Sequence, residues 1–184
     1  YLASPGRVRL RLSAIGKEHL ALKELVEKEI NKLRQIIPQL IYGYDDDTLE
    51  KITGQLLTAE KLTLSAAESC SGGRIAHLIT SVPGSSEYFK GGVVGYSNEI
   101  KEQLLGVKHK TIQTYGAVSE QAIIEMCEGA KHLFTTDYAI ATSGIAGPSG
   151  GTKDKPVGTT WLAVAGPKRT KTKKFLFGDS RERN

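Results

Sequence analysis

The sequence predicts an α/β protein: a three-layer α/β sandwich with a mixed sheet, preceded by a small βαβ segment. Three observations carry this. From about residue 47 onward, short β-rich runs alternate with helical patterns, as a sheet covered by helices requires. Two late β-rich runs, 158–165 and 171–177, flank Gly166-Pro167 and read as an antiparallel hairpin. Before residue 47, a strand pattern, a long helical pattern and a second short strand pattern follow one another.

The elements justify this in order. Val8, Leu10 and Leu12 alternate with Arg7, Arg9 and Arg11, the period of an amphipathic strand. From Lys17 to Ile36, Leu22, Leu25, Val26, Ile30 and Leu33 keep helical spacing, and Pro38 stops the helix. Leu40–Tyr44 reads as the second strand, and Asp45-Asp46-Asp47 as a solvated linker and helix N-cap. The domain boundary is placed there: residues 1–46 as part of a small α/β domain, 47–184 as the main domain. A helix over Leu49–Glu60 leads into a strand at Leu62–Ala67, and Arg74–Thr80 is a short helix closed by Val82-Pro83-Gly84. Tyr88–Tyr96 is β-rich but interrupted by Gly91, Gly92 and Gly95, a sign of close approach by another backbone or a ligand. Ser97 or Asn98 caps a helix carrying Ile100, Lys101, Leu104 and Leu105. Ser119 caps a second, to about Phe134, whose inward positions include Cys127, read as a packing residue. Tyr138–Ser143 is a strand that runs into the glycine-rich loop 144–151.

Composition narrows the function classes. The chain has 184 residues, enough for one domain with its own core and a small appendage. It opens on Tyr1 rather than Met, so it is expected to be a piece of something longer. No apolar run reaches the ~20 residues that cross a bilayer, and no signal-peptide pattern opens the chain, so no membrane association is expected. Cys70 and Cys127 cannot form a disulfide framework and lack metal-ligand spacing with the four histidines. A cytoplasmic, metal-free protein is therefore expected. The net charge of +5 owes much to Lys168, Arg169, Lys171, Lys173 and Lys174, which read as a solvated strand face, with nucleic-acid binding as the lesser alternative.

Polar chemistry collects where strands end. Leu64–Ala67 runs into Glu68, Ser69, Cys70 and Ser71, then Gly72-Gly73, then a helix. Such a junction aims backbone N–H groups at whatever lies over the strand end and carries three candidate nucleophiles; the alternative is an ordinary turn whose serines cap the helix. Tyr96 closes a second strand, and Thr142 with Ser143 closes a third. Three polar strand ends in one α/β sheet point to a shared site. Lys101 falls in the first turn of its helix, where the positive pole disfavours a further charge, so a lowered pKa and a role as base are expected. The alternative is a lysine that swings into solvent. No zinc-type H-E-x-x-H and no Walker loop is present.

Five motifs together resemble the C-terminal domain of the CinA family: A-E-S-C-S-G-G at 67–73, P-G-S-S-E-Y-F-K-G-G-V-V-G-Y-S-N-E-I-K at 83–101, G-A-V-S-E at 116–120, S-G-I-A-G-P-S-G-G at 143–151 and K-P-V-G-T at 155–159. The resemblance implies hydrolysis of the carboxamide of nicotinamide mononucleotide to nicotinate mononucleotide and ammonia, without a cofactor. It implies Ser69 as nucleophile, Lys101 as base and Tyr96 as their hydrogen-bonding partner, with Ser86 as rival nucleophile or substrate contact. Thr142, Ser143, Gly144, Gly147 and Arg181 would hold the oxyanion or the phosphate. A homodimer is implied too. Residues 1–46 look like the end of the family's middle domain. Where the family carries a G-D-R stretch, this chain reads Gly178-Asp179-Ser180-Arg181, with a serine inserted, and the terminal helix that follows in the family is not expected within these residues.

Overall fold

In the computed structural model of the chain, residues 2–4, 7–178 and 180–181 are described, and they fall into two compact units, Tyr1–Leu49 and Glu50–Asn184. In the first, β1 (Leu2–Ser4) pairs antiparallel with β2 (Arg7–Arg9), and α1 (His19–Ile36) follows. The expected βαβ segment is corrected here. Leu40–Tyr44 is not a strand: Pro38–Leu40 make one 3-10 turn, and the Tyr44 amide donates to Asp47 Oδ2 at 3.1 Å, closing another turn. The reason is pairing. A hairpin already gives β2 a neighbour next to it in sequence, whereas a strand at 40–44 would need a ladder that no described residue offers. Asp47 thus shapes a turn. No residue of α1 is buried; Arg34 Nε donates to Tyr44 Oη at 2.6 Å, and its guanidinium lies 4.8 Å from that ring's centroid.

The second unit contains the sandwich. Its elements are α2 (Leu49–Ala59), β3 (Leu64–Glu68), α3 (Arg74–Thr80), a 3-10 turn (Ser85–Glu87), β4 (Phe89–Val94), α4 (Asn98–Leu105), α5 (His109–Tyr115), α6 (Glu120–Leu133), β5 (Tyr138–Gly144), β6 (Thr159–Ala165) and β7 (Thr170–Leu176). The strands form one mixed sheet in the order β4-β3-β5-β6-β7, parallel among β4, β3 and β5 and antiparallel from β5 to β7. The sequence predicts the hairpin and both serine-capped helices. It does not predict α5, a single short helix whose apolar contribution to the core is Ile112, too little for a period to show.

Strand alternation sets the two faces. Ala67, Ala139, Ala141, Ala163 and Ala165 meet α4 and α6 through Leu105, Ile123, Met126, Cys127 and Ala130. Small side chains on the sheet let α6 lie close, and Cys127 is fully buried there, its Sγ donating to Ala139 O at 3.2 Å. Burial pushes that thiol up to about 12, the behaviour of a packing residue. On the opposite face Leu64 packs with Leu57 of α2, Ile79 of α3 and Tyr88. No helix among the described residues is long and apolar enough to cross a membrane.

This topology opens a crevice. The chain leaves β3 toward the face of α3 and leaves β4 toward the face of α4, so the two adjacent parallel strands part company at their carboxyl ends. In open α/β sheets ligands settle at such a switch point.

Candidate active site

β3 is buried along its whole length, so whatever follows Glu68 emerges at the sheet's carboxyl edge and nowhere else. Ser69 is tied into the sheet by its amide, which donates to Thr142 O at 3.0 Å, and its side chain remains at the crevice, 8% exposed. Among the described residues its hydroxyl has no hydrogen-bond partner. Cys70 follows, half-buried. Burial raises its thiol pKa; the amides of Cys70 and Ser71 and the charge of Lys101 pull the other way. Ser71 Oγ and Thr142 Oγ1 share a hydrogen bond of 2.6 Å, which fastens the turn to the end of β5.

The second wall comes from β4. Gly95 has no side chain because one would sit 2.9 Å from Leu105 Cδ1 and 3.5 Å from Lys101 Cγ, so α4 can lie directly on the strand end. Ser97 caps α4, its Oγ accepting from Ile100 N at 3.3 Å. This places Lys101 inward, 2% exposed, with Nζ donating to Gly95 O at 2.7 Å and to Tyr96 O at 3.2 Å. Its pKa is lowered, as expected, but the chief cause is burial rather than the helix pole; the Cys70 and Glu99 charges oppose it. Thiol and amine thus feel each other across the crevice, one from each wall.

The third part of the rim is Arg181. Its Nη1 donates to Gly147 O at 3.0 Å and its Nη2 to Tyr96 Oη at 3.1 Å, so the guanidinium bridges the end of β4 and the loop after β5. Tyr96 is therefore linked to Lys101 by its main-chain carbonyl, while its ring, 63% exposed, is engaged with Arg181. Asp179 of the same stretch lies outside the described residues.

Other expected contacts fall elsewhere. Ser86 lies in the turn before β4, at the amino end of the parallel strands, while Ser69 follows their carboxyl end; five residues of β3 separate the two levels, roughly 16 Å. The fold of one chain does not bring them together. Ser143 points through the sheet to the α6 side, where its Oγ donates to Ala117 O at 2.9 Å. Neighbouring residues of a strand face opposite ways, so Thr142 reaches the turn and Ser143 cannot. Gly144 belongs to the β5–β6 ladder, where a Cβ would lie 2.7 Å from Thr160 Oγ1. Gly147 offers its carbonyl, to Arg181. The stretch Gly147-Pro148-Ser149-Gly150-Gly151 spells G-x-S-x-G but connects two strands, not the strand and helix of a nucleophile elbow.

The amides at the strand–helix junction also differ from expectation. The Gly72 amide donates to Ser69 O at 3.2 Å, and the Gly73 amide to Glu68 Oε2 at 3.0 Å. Glu68 also receives Ile75 N at 3.0 Å and Ala76 N at 2.8 Å. The start of α3 is thus filled by the chain's own carboxylate, a role sequence reasoning missed. The available signal was an acidic residue ending an otherwise uncharged strand just before a glycine pair and a helix. No three His, Cys, Asp or Glu side chains converge to hold a metal among the described residues. A groove of about 700 Å³ lies at the other end of the sheet, lined by Lys131, Asp137, Gly166 and Arg169 among others.

Known proteins resemble both sequence and fold. Residues 46–184 match the model of the CinA C-terminal domain. A CinA-like protein from Flavobacterium psychrophilum is 48% identical over 184 residues, all of this chain and 44% of that protein. A putative competence-damage inducible protein from Caldanaerobacter subterraneus subsp. tengcongensis is 44% identical, over 99% of this chain and 44% of its own length. The chain therefore spans less than half the length of these curated relatives. The crystal structure of the competence/damage inducible protein CihA from Agrobacterium tumefaciens superposes with a TM-score of 0.72 at 37% identity, covering 77% of this chain and 87% of that one.

Proposed function

This chain belongs to the CinA family, and from that premise we propose that it is an amidohydrolase converting nicotinamide mononucleotide to nicotinate mononucleotide and ammonia. The observation that carries the reading is the state of Lys101. Its amine is buried, its pKa is lowered, and among the described residues no carboxylate is bonded to it; two main-chain carbonyls accept from it instead. A neutral amine has two N–H bonds and one lone pair. With the hydrogens directed to Gly95 O and Tyr96 O, the lone pair is left to take a proton from a hydroxyl.

The chemistry then runs in two halves. Ser69 Oγ attacks the carboxamide carbon while its proton passes to Lys101 Nζ, and the carbonyl oxygen becomes an oxyanion. Because the Gly72 and Gly73 amides are occupied, the N–H groups offered to that oxyanion at the turn are those of Cys70 and Ser71, which otherwise lie against the Cys70 thiol. Lys101 returns the proton to the nitrogen as the C–N bond breaks and ammonia leaves. Water attacks the acyl ester, Lys101 takes its proton and returns it to Ser69, and the carboxylate product departs. Arg181, at the rim, suits the 5′-phosphate: a planar cation with paired donors. No metal or organic cofactor enters these steps.

The test is ammonia release from nicotinamide mononucleotide by the chain after chelator treatment. Turnover is expected before and after chelation. Binding without turnover would favour a regulatory nucleotide-binding module instead, and activity lost on chelation would end the metal-free part.

A further inference from the structure

Glu68 is 2% exposed, and its two carboxylate oxygens accept three amides, those of Gly73, Ile75 and Ala76, at 3.0, 3.0 and 2.8 Å. A carboxylate buried so deeply is retained only where its oxygens are satisfied, because bare buried oxygens carry a desolvation penalty comparable to a whole domain's margin of stability. Here the partners are backbone amides of the residues that close the turn, not another side chain. The rest of the turn is held by short-range bonds. Gly72 and Gly73 stand at φ +60° and +96°; a Cβ on Gly72 would meet nothing within 4 Å, and one on Gly73 would lie 3.6 Å from Val94 Cγ2, so side-chain packing at the two glycines is sparse. Besides Glu68, the restraints are two bonds within the turn, the Gly72 amide to Ser69 O at 3.2 Å and the Arg74 amide to Ser71 O at 3.0 Å, and two to β5, Ser71 Oγ with Thr142 Oγ1 and the Ser69 amide to Thr142 O; of these side chains only the Glu68 carboxylate reaches the first turn of α3.

We propose that Glu68 is a positioning residue for the reaction: its carboxylate anchors the first turn of α3 to the end of β3 and so holds Ser69 and the Cys70 and Ser71 amides at the crevice opposite Lys101. This rests on the amidohydrolase reading. Glu68 touches neither Ser69 Oγ nor Lys101 through any of its three bonds; it acts through the backbone. Its strand neighbour one step on is the nucleophile, so a shift of the anchored turn is transmitted to the attacking oxygen directly. A displacement near 1 Å is enough to lower a rate by about 100-fold.

The experiment compares the 184-residue chain with its Glu68→Gln and Glu68→Asp forms. Glutamine keeps the shape but presents an NH₂ where an acceptor is needed; aspartate keeps both acceptors but is one methylene short. Steady-state turnover of nicotinamide mononucleotide is read beside hydrogen exchange at the amides of Gly73, Ile75 and Ala76. The expected result for Glu68→Gln is a kcat lower by about 10- to 100-fold with KM within about threefold, and exchange at those three amides at least tenfold faster while the amides of β5 and α6 exchange as before. Glu68→Asp should recover part of kcat and part of the protection together. A kcat within twofold of the unsubstituted chain in Glu68→Gln overturns the proposal, and so does a kcat loss that tracks only the fraction of unfolded protein in a thermal melt. If the unsubstituted chain does not hydrolyse the substrate, the amidohydrolase reading fails; the exchange measurement still decides the anchoring, because unchanged protection at the three amides would refute it independently of any turnover.

Discussion

At the scale of single residues, the proposed mechanism couples Ser69, in the turn after β3, to Lys101, whose buried amine donates to two main-chain carbonyls. Ser69→Ala and Lys101→Met are each expected to remove at least about 99% of kcat, and the double variant to be little worse than either, because the two act as one unit. The pH dependence follows from Lys101. Burial lowers its pKa below 10.5, and the proposed mechanism uses the unprotonated form. The rate therefore rises as pH increases through the lowered pKa and levels off above it; a rate that falls over that interval would rule out a lysine base. Stability shares the sign. The unfolded chain binds more protons at this site between the lowered value and 10.5, so unfolding becomes harder as pH rises through that window. The same burial that readies the amine is what makes its charged form costly.

At the scale of elements, glycines decide how near the walls of the site come to each other. A Cβ on Gly92 would lie 3.1 Å from Ala66 O, and one on Gly129 would overlap the Leu105 carbonyl, so β4 packs on β3 and α6 on the end of α4 only because those side chains are absent. Gly95 has the more direct bearing on chemistry. Gly95→Ala pushes on Leu105 of α4, the helix that carries Lys101, and should lower stability by about 1–3 kcal/mol and kcat by more than tenfold. Denaturant titration and steady-state kinetics check the two figures; an alanine variant with full activity would mean that α4 can shift without moving the amine. The β-rich run 88–96 with three glycines was readable as a place of close approach. Which atoms approach was not, because Leu105 and Lys101 lie on the following helix and Ala66 on a strand 26 residues earlier in the chain.

At the scale of the whole molecule, both hydrophobic clusters lie within Glu50–Asn184, whereas α1 buries no residue. A chain of residues 50–184 is expected to fold by itself, with a melting temperature within about 5 °C of the 184-residue protein and undiminished kcat; circular dichroism and the ammonia assay measure this. Loss of cooperative unfolding would show that the second unit depends on the first. Sedimentation of both forms reports assembly. The homodimer proposed from family resemblance has two sheet edges available, β4 and β7, and β7 displays Lys171, Lys173 and Lys174 to solvent, a pattern that discourages edge pairing. The β4 edge is the one proposed to pair, and a strictly monomeric protein would reject it.

The sequence by itself determined the local matters: the sandwich class, the hairpin, the serine caps of α4 and α6, Cys127 as packing, and the arrival of Ser69, Tyr96 and Thr142 at strand ends. Each is written in a period, a cap or a run of neighbours, and needs no knowledge of what lies across the sheet. Tertiary structure decided the rest. It put Ser86 at the far end of the strands, turned Ser143 away by strand alternation, left Leu40–Tyr44 without a ladder, and filled the start of α3 with Glu68. It also decided why Lys101 is tuned, since burial depends on Cys70, Gly95 and Leu105 converging from separate elements, and no spacing along one chain encodes how much water their packing removes.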